Sequence, residues 1–451
     1  MKTPPKKTPI DSSIVKQEIK KMGLKSVGLA SIRELNRIVN NIEVAANEKY
    51  IRMEMGVPGF DPPKIAVDAE IKALKKGVGS KYPPFDGIPE LKLEISRFVK
   101  NFIDVDINLE SCFPTVGSMQ GCYMAMMCTT RRLKGKNKIL FIDPGFPVNK
   151  RQASVIGVPY DNFDVYEFRG DKLKPKLESY LKKGDIASLM YSNPNNPAWI
   201  CFTDQELQII GELATKYDCI VMEDLAYFGM DFRKDYSVPG QEPFIPSVAK
   251  YTDNYILLIS SSKAFSLAGQ RIGMTAIPDT LFNSEGNNLE PYFGSNNFGY
   301  AYIFGAMYAL SSGVSHTNQW GLTGLLEAVN NGKYNFVENV KEYGDRAKVM
   351  KKLFTDNGFQ IVYDMDEDEK IADGFYFTIS YPGFSGIELV EELLYYGISA
   401  ISLTTTGSDR HEGLRACVSL TGQERFKDLE DRLKSFEKDH PENSDFKVIN
   451  L

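Results

Sequence analysis

The chain has 451 residues, with 53 lysines and arginines against 59 aspartates and glutamates, a net charge of −6, and 43% apolar and 25% charged residues. This balance describes a packed globular protein of roughly two or three domains, and its mild acidity offers nucleic acid no electrostatic footprint. Three widely separated histidines, His316, His411 and His440, exclude a His-rich metal site, so no metal is expected; no Gly-x-Ser-x-Gly elbow occurs either.

The first residues, MKTPPKKTPIDSS, are polar and rich in Pro and Lys. They lack the apolar core of a secretory signal and read as a mobile arm. Residues 1–75 as a whole are expected to form this arm and part of a smaller domain, apart from the central sheet. From about residue 110 to 280, short apolar runs alternate with amphipathic stretches. Cys112–Val116, Lys138–Ile142, Ile186–Tyr191, Cys219–Met222 and Tyr255–Ser260 read as buried strands. Thr203-Asp-Gln-Glu206 is a capping box, and Leu207, Ile210, Leu213, Ala214 and Tyr217 form the apolar stripe of the helix it opens. Strand, helix, strand in this rhythm means an α/β fold, a mostly parallel sheet with flanking helices, here assigned to residues 76–320.

Residues 310–357 read as largely helical. The acidic stretch Asp364–Lys370 reads as a solvated turn. Gly374–Ser380 and Leu414–Leu420 read as strands, and Glu388–Tyr396 and Gln423–Lys438 as helices, giving a smaller α+β domain over residues 321–451. The six cysteines show no C-x-x-C pair, sit mostly in apolar runs and read as buried free thiols, which suits a reducing cytoplasmic location. No run is long and apolar enough to span a bilayer, so no membrane partner is expected.

In an open α/β sheet, ligands bind beyond the carboxyl ends of the strands. The first strand is followed by Gly117-Ser118-Met119, the second by Pro144-Gly145-Phe146, and the third by Asn193-Pro-Asn-Asn196-Pro197. The fourth leads into Asp224 and Tyr227, and the fifth into Ser260, Ser262, Lys263 and Arg271. Free N–H groups of Ser118 and Met119 at a helix start suit a phosphate. Ser260, Ser262 and the fork of Arg271 add donors. Phe146 can stack on a ring, Asp224 can pair with a ring nitrogen, and Asn196 and Tyr227 can bond a ring oxygen. Lys263 supplies an amine for a Schiff base. Each piece has a plainer reading: a solvated lysine, a capping aspartate, an Asn-Pro turn, a core phenylalanine, an ordinary helix start. Their order along successive strand ends favours one ligand with an anionic end and a flat ring.

The set resembles the fold-type I pyridoxal phosphate enzymes, specifically the class I/II aminotransferases, from about Glu54 to Leu420. Ser260-x-Ser-Lys263, followed by Arg271-x-Gly273, looks like the family's Schiff-base lysine and phosphate arginine. Asp224-x-x-Tyr227 and Asn196-Pro197 look like its ring-nitrogen aspartate and its two O3′ partners. Gly117-Ser118-Met119 and Phe146 match its phosphate loop and ring-stacking position. The resemblance further implies that Gly56 lies near the substrate carboxylate and that Arg415 forks it. It implies that Tyr82 reaches the phosphate site of a neighbouring subunit, so that a homodimer shares its sites. The substrates would be an amino acid and a 2-oxo acid, in a ping-pong exchange with Lys263 carrying the proton between Cα and C4′.

Two departures bear on the pocket. Ala198-Trp199 replaces the family's usual Thr-Gly, and Trp199 either narrows the pocket or packs beside it. From Ile272 to Gly332 there is no lysine or arginine, which argues against one known route to dicarboxylates. Tyr292, Phe293, Phe298, Tyr300 and Tyr302 in that stretch suit an apolar substrate, a dimer interface or core packing equally. The same cofactor chemistry also serves a lyase or decarboxylase. A non-enzymatic sensor is a further alternative, disfavoured because no helix-turn-helix precedes Glu54. No nucleotide-binding signature follows a strand.

Overall fold

A computed structural model of the chain describes residues 8–441. Its central sheet has seven strands: β1 (Cys112–Thr115), β2 (Lys138–Asp143), β3 (Tyr160–Asp164), β4 (Ile186–Ser192), β5 (Ile220–Leu225), β6 (Tyr255–Ser260) and β7 (Gly273–Ala276). Their spatial order is β1-β7-β6-β5-β4-β2-β3. Neighbours from β6 to β3 are all parallel, and only β7 runs against its two neighbours. Every residue of β4, β5 and β6 is buried, as expected of strands covered on both faces. The expected capping box is present: Thr203 Oγ accepts from the Glu206 N–H at 3.3 Å, and Glu206 accepts from the Thr203 N–H at 3.0 Å. It opens the helix Asp204–Lys216.

Two strands lie outside the sequence reading. β3 is the polar edge run Tyr-Asp-Asn-Phe-Asp, with little apolar signal. β7 is only four residues long and comes after a loop rich in small and polar residues.

A second sheet holds β8 (Gln360–Ile361), β9 (Tyr376–Ser380), β10 (Ile401–Ser402) and β11 (Leu414–Cys417), antiparallel throughout in the order β10-β11-β9-β8. Helices Glu342–Thr355 and Gly386–Tyr395 pack on it, and Phe426–Asp439 packs on the first of these. The N-terminal region joins this unit. Ile51–Arg52 pairs in parallel with Ile398–Ser399.

Three expectations change. Residues 1–7 of the anticipated mobile arm lie outside the described residues, but its remainder is anchored. Ile10 is buried and its N–H donates to the Tyr395 carbonyl at 3.0 Å, and Asp11 then caps the helix Ser12–Met22. The helix Lys64–Lys75 does not lie on the smaller sheet. It packs on His316–Asn330, which also packs on Pro89–Ile103 and so belongs with the central sheet. Small residues allow this approach: a Cβ on Gly324 would stand 2.6 Å from that of Ala69. Finally, Asp364–Lys370 is not simply a solvated turn. It is a short hairpin whose Asp366 is buried, accepting from Arg169 and Arg233 at 3.0 Å each and from the Cys201 N–H at 3.1 Å. Asp366 docks it on two arginines that belong to the central-sheet unit, while Asp364, Asp368 and Glu369 are exposed.

All six cysteines are free, and all but Cys201 are buried. Among the described residues, no helix is long and apolar enough to cross a membrane, and no cluster of His, Cys, Asp or Glu could hold a metal.

Candidate active site

Strand register brings the predicted residues together. Gly273 of β7 faces Thr115 of β1 and Ser260 of β6. The loop Gly117–Met119, the Ser260–Lys263 segment and the Arg271 turn therefore meet at one end of the sheet. Gly117 has φ +62°, and a Cβ there would stand 2.7 Å from Arg271 Nη2, so only glycine lets the guanidinium approach. Arg271 itself holds φ +49° and donates through Nη1 to the Ala268 carbonyl at 2.9 Å. The helix Gly117–Arg132 begins without a side-chain cap, leaving the N–H groups of its first turn aimed outward. Ser260 Oγ accepts from the Ser262 N–H at 3.2 Å. This corner is a cradle for an anion.

β4 and β5 pair Ser192 with Asp224. Asp224 is buried, one carboxylate oxygen has no hydrogen-bond partner, and it lines a small cavity together with Phe146, Tyr191 and Ser192. Burial pushes its carboxyl up to about 7, with Lys263 opposing. Lys263 is half-buried. Burial lowers its amine to about 8; Arg271 and Arg415 add to that effect, while Cys417 and Asp224 oppose it. A carboxylate in want of a cation and an amine easily made neutral share one end of the sheet.

The smaller sheet supplies the third part. Arg415, on β11 opposite Thr378 of β9, is buried. Its Nη1 donates to Asn196 Oδ1 at 3.4 Å and its Nη2 to the Glu54 carbonyl at 2.5 Å, while its Nε has no partner among the described residues. The guanidinium lies 4.5 Å from the ring centroid of Tyr376. The Tyr376 hydroxyl stands 2.9 Å from that of Tyr227, and a Cβ on Gly56 would collide with it. Asn196, Tyr227, Gly56 and Arg415 thus converge around Tyr376.

Trp199 takes the second of its two anticipated roles. It is fully buried at φ +66°, edge-on to Tyr227 at 5.4 Å and to Tyr376 at 6.1 Å, in space that a Cβ on Gly374 would enter. It packs beside the pocket. Tyr82 is 95% exposed and stands apart from the other predicted residues within this chain.

Tyr376 is the site residue that sequence reasoning passes over. It faces Cys417 across the pair, two places from the Thr378–Arg415 pair, and strand alternation puts all four on one face. The signal was the Tyr-x-Thr spacing, which is readable only once the register is known.

The family model for aminotransferase class I and II matches residues 48–424. A probable aspartate aminotransferase of Methanocaldococcus jannaschii is 25% identical over 327 residues, 68% of this chain and 83% of its own. An aspartate aminotransferase of Pyrococcus horikoshii is 27% identical over 350 residues, 77% of this chain and 80% of its own. Among solved structures, an aspartate aminotransferase from Thermus thermophilus with maleate superposes with a TM-score of 0.71 at 18% identity, covering 94% of this chain and 98% of the other. That last likeness concerns the fold.

Proposed function

The chain belongs to the class I and II aminotransferase family and is an enzyme that transfers amino groups, and we propose that it does so with pyridoxal 5′-phosphate held on Lys263. The observation that carries the reading is the orphaned, buried oxygen of Asp224, sharing a cavity with Phe146 at the same sheet end as a glycine and arginine anion cradle. A phosphorylated, protonated pyridine satisfies all of these at once.

In this reading Gly117, Ser118, Met119, Ser260, Ser262 and Arg271 hold the phosphate. Phe146 covers a ring face, Asp224 keeps the ring nitrogen protonated, and Asn196 and Tyr227 bond the ring oxygen. When bound, the cofactor supplies an electron sink for the pair of electrons left at the amino acid Cα. The amine of Lys263 takes the Cα proton and returns one on the other side of the exchange. Its lowered basicity suits that work near neutral pH. Arg415 orients the substrate α-carboxylate, for which its unpartnered Nε is available, and the Gly56 segment closes beside it. The central-sheet unit, which takes in the helices Lys64–Lys75 and His316–Asn330 and so reaches beyond the expected bounds of 76–320, would carry the cofactor, and the smaller sheet the arginine.

A homodimer with shared sites belongs to the same proposal. Tyr82 meets none of the other predicted residues within its own chain. Phe85, Tyr300, Phe304 and Tyr308 stand exposed and in mutual ring contact, as suits a face covered by a second copy. Reducing conditions in the cytoplasm match the free cysteines. The test is Lys263→Ala. The variant should still bind the cofactor, though non-covalently, and should lose turnover by several orders of magnitude. Near-normal turnover would remove Lys263 from the chemistry.

A further inference from the structure

We propose that Tyr376 is a positioning residue that couples the two halves of the site, carrying the Arg415 guanidinium on its ring and holding the Tyr227 hydroxyl with its own. The proposal rests on the functional reading above and assigns a further residue to that site.

The geometry is bilateral. On one side, the guanidinium of Arg415 lies 4.5 Å from the Tyr376 centroid, and both residues are fully buried. A desolvated cation over an aromatic face is firmly held. Two of the three guanidinium nitrogens are bonded at the Asn196 amide and the Glu54 carbonyl, and the ring packs against the guanidinium beside them, so the three contacts together set the direction of the free Nε–H. On the other side, the two phenol oxygens are 2.9 Å apart. Tyr227 has one hydroxyl hydrogen. If that hydrogen goes to the cofactor's ring oxygen, Tyr376 must be the donor in the Tyr227–Tyr376 pair. Donation into the Tyr227 oxygen makes its O–H a better donor in turn. With pyridoxal phosphate bound, Tyr227 would then stabilise negative charge on the ring oxygen more strongly, and the pH at which the loaded enzyme's visible absorbance changes would be lower than without the Tyr376 hydroxyl.

Asn196 also touches Arg415, but among the described residues the hydroxyl set against that of Tyr227 is that of Tyr376. Tyr376 is wedged between Trp199, Phe375, Tyr227 and the Gly56 backbone, so its ring has no room to turn away. The charged or titratable groups facing the two phenols are Arg415 and Cys417. Those facing Lys263 are Cys417, Arg271, Arg415 and Asp224. All of them persist when only the Tyr376 hydroxyl is removed.

Two variants of the cofactor-loaded enzyme separate the two functions. Tyr376→Phe keeps the platform and deletes the hydroxyl. Its visible absorbance, titrated with pH, should change at a midpoint a few tenths of a pH unit above that of the parent, the size expected from losing one link of a hydrogen-bond chain. Its KM should stay within about twofold, because the aromatic platform under Arg415 remains. Tyr376→Leu deletes both and should also raise KM by about fivefold or more. A Tyr376→Phe midpoint equal to the parent's would overturn the hydroxyl link. A KM raised equally in both variants would overturn the platform, and the Phe variant alone decides the first point if the Leu variant does not fold. A parent protein that takes up no pyridoxal phosphate, or shows no pH-dependent band, would instead sink the functional reading itself.

Discussion

Replacing Asp224 with Asn should stabilise the cofactor-free protein while disabling the enzyme. Burial raises the Asp224 carboxyl from 3.8 to about 7, so between those values the folded chain holds a proton that the unfolded chain has released. Folding stability is therefore fully present below pH 4 and is lost as pH rises to about 7. A shift of roughly three pH units corresponds to about 4 kcal/mol. The buried Asn amide, itself lacking a full set of partners, takes back about 1–3 kcal/mol of that. In urea unfolding of the cofactor-free protein at pH 8, Asp224→Asn should gain about 1–3 kcal/mol over the parent. At pH 4 the order should invert, with Asp224→Asn about 1–3 kcal/mol below the parent, because the parent's carboxyl is then neutral in the folded state and only the amide's unmet partners remain. With pyridoxal phosphate bound the order reverses: the parent gains a charge-assisted pair at the ring nitrogen that Asn cannot form. An Asn variant that is less stable than the parent at pH 8 without cofactor would refute the view that Asp224 is a carboxylate kept unpaired for a cationic ligand.

Other outcomes rest on particular contacts. Asp366→Ala strands Arg169 and Arg233 in part, although Glu206 and Asp231 remain to them; the loss should be about 3 kcal/mol in thermal or urea unfolding, and a loss below about 1 kcal/mol would mean that the hairpin does not join the two units energetically. Gly117→Ala meets both the positive φ and Arg271, so cofactor affinity by fluorescence titration should fall about tenfold or more, with unchanged affinity counting against the anion cradle. Arg415→Lys keeps the charge and loses the fork. KM for the amino acid should rise about thirtyfold while kcat changes less, and an unaltered KM would show that the α-carboxylate binds elsewhere.

Much of this site was legible because its residues sit at strand ends, and apolar runs such as Ile186–Tyr191 and Tyr255–Ser260 mark strands plainly. Once those ends are placed, the chemistry at Asp224, Lys263 and Arg271 can be ordered along the sheet without any coordinates. The features that escaped reading depended on partners distant in sequence. β7 is too short to announce itself, yet it sets Gly117, Ser260 and Arg271 side by side. Asp366 looks like one more solvated charge until Arg169 and Arg233 arrive from the other unit. Tyr376 looks like a core aromatic until the β9–β11 register places it under Arg415. The anchoring of Ile10 escaped for the same reason, since its acceptor is Tyr395.

The central claim is an amino-group exchange on a cofactor bound at Lys263, and the direct test is the visible spectrum of the purified, pyridoxal phosphate-loaded enzyme titrated with single amino acids in the absence of any oxo acid. Loss of the yellow band with growth of the pyridoxamine band, and release of the matching 2-oxo acid, is the predicted result and identifies the donor. Ammonia or carbon dioxide released while the yellow band persists would contradict it and place the chemistry with a lyase or decarboxylase.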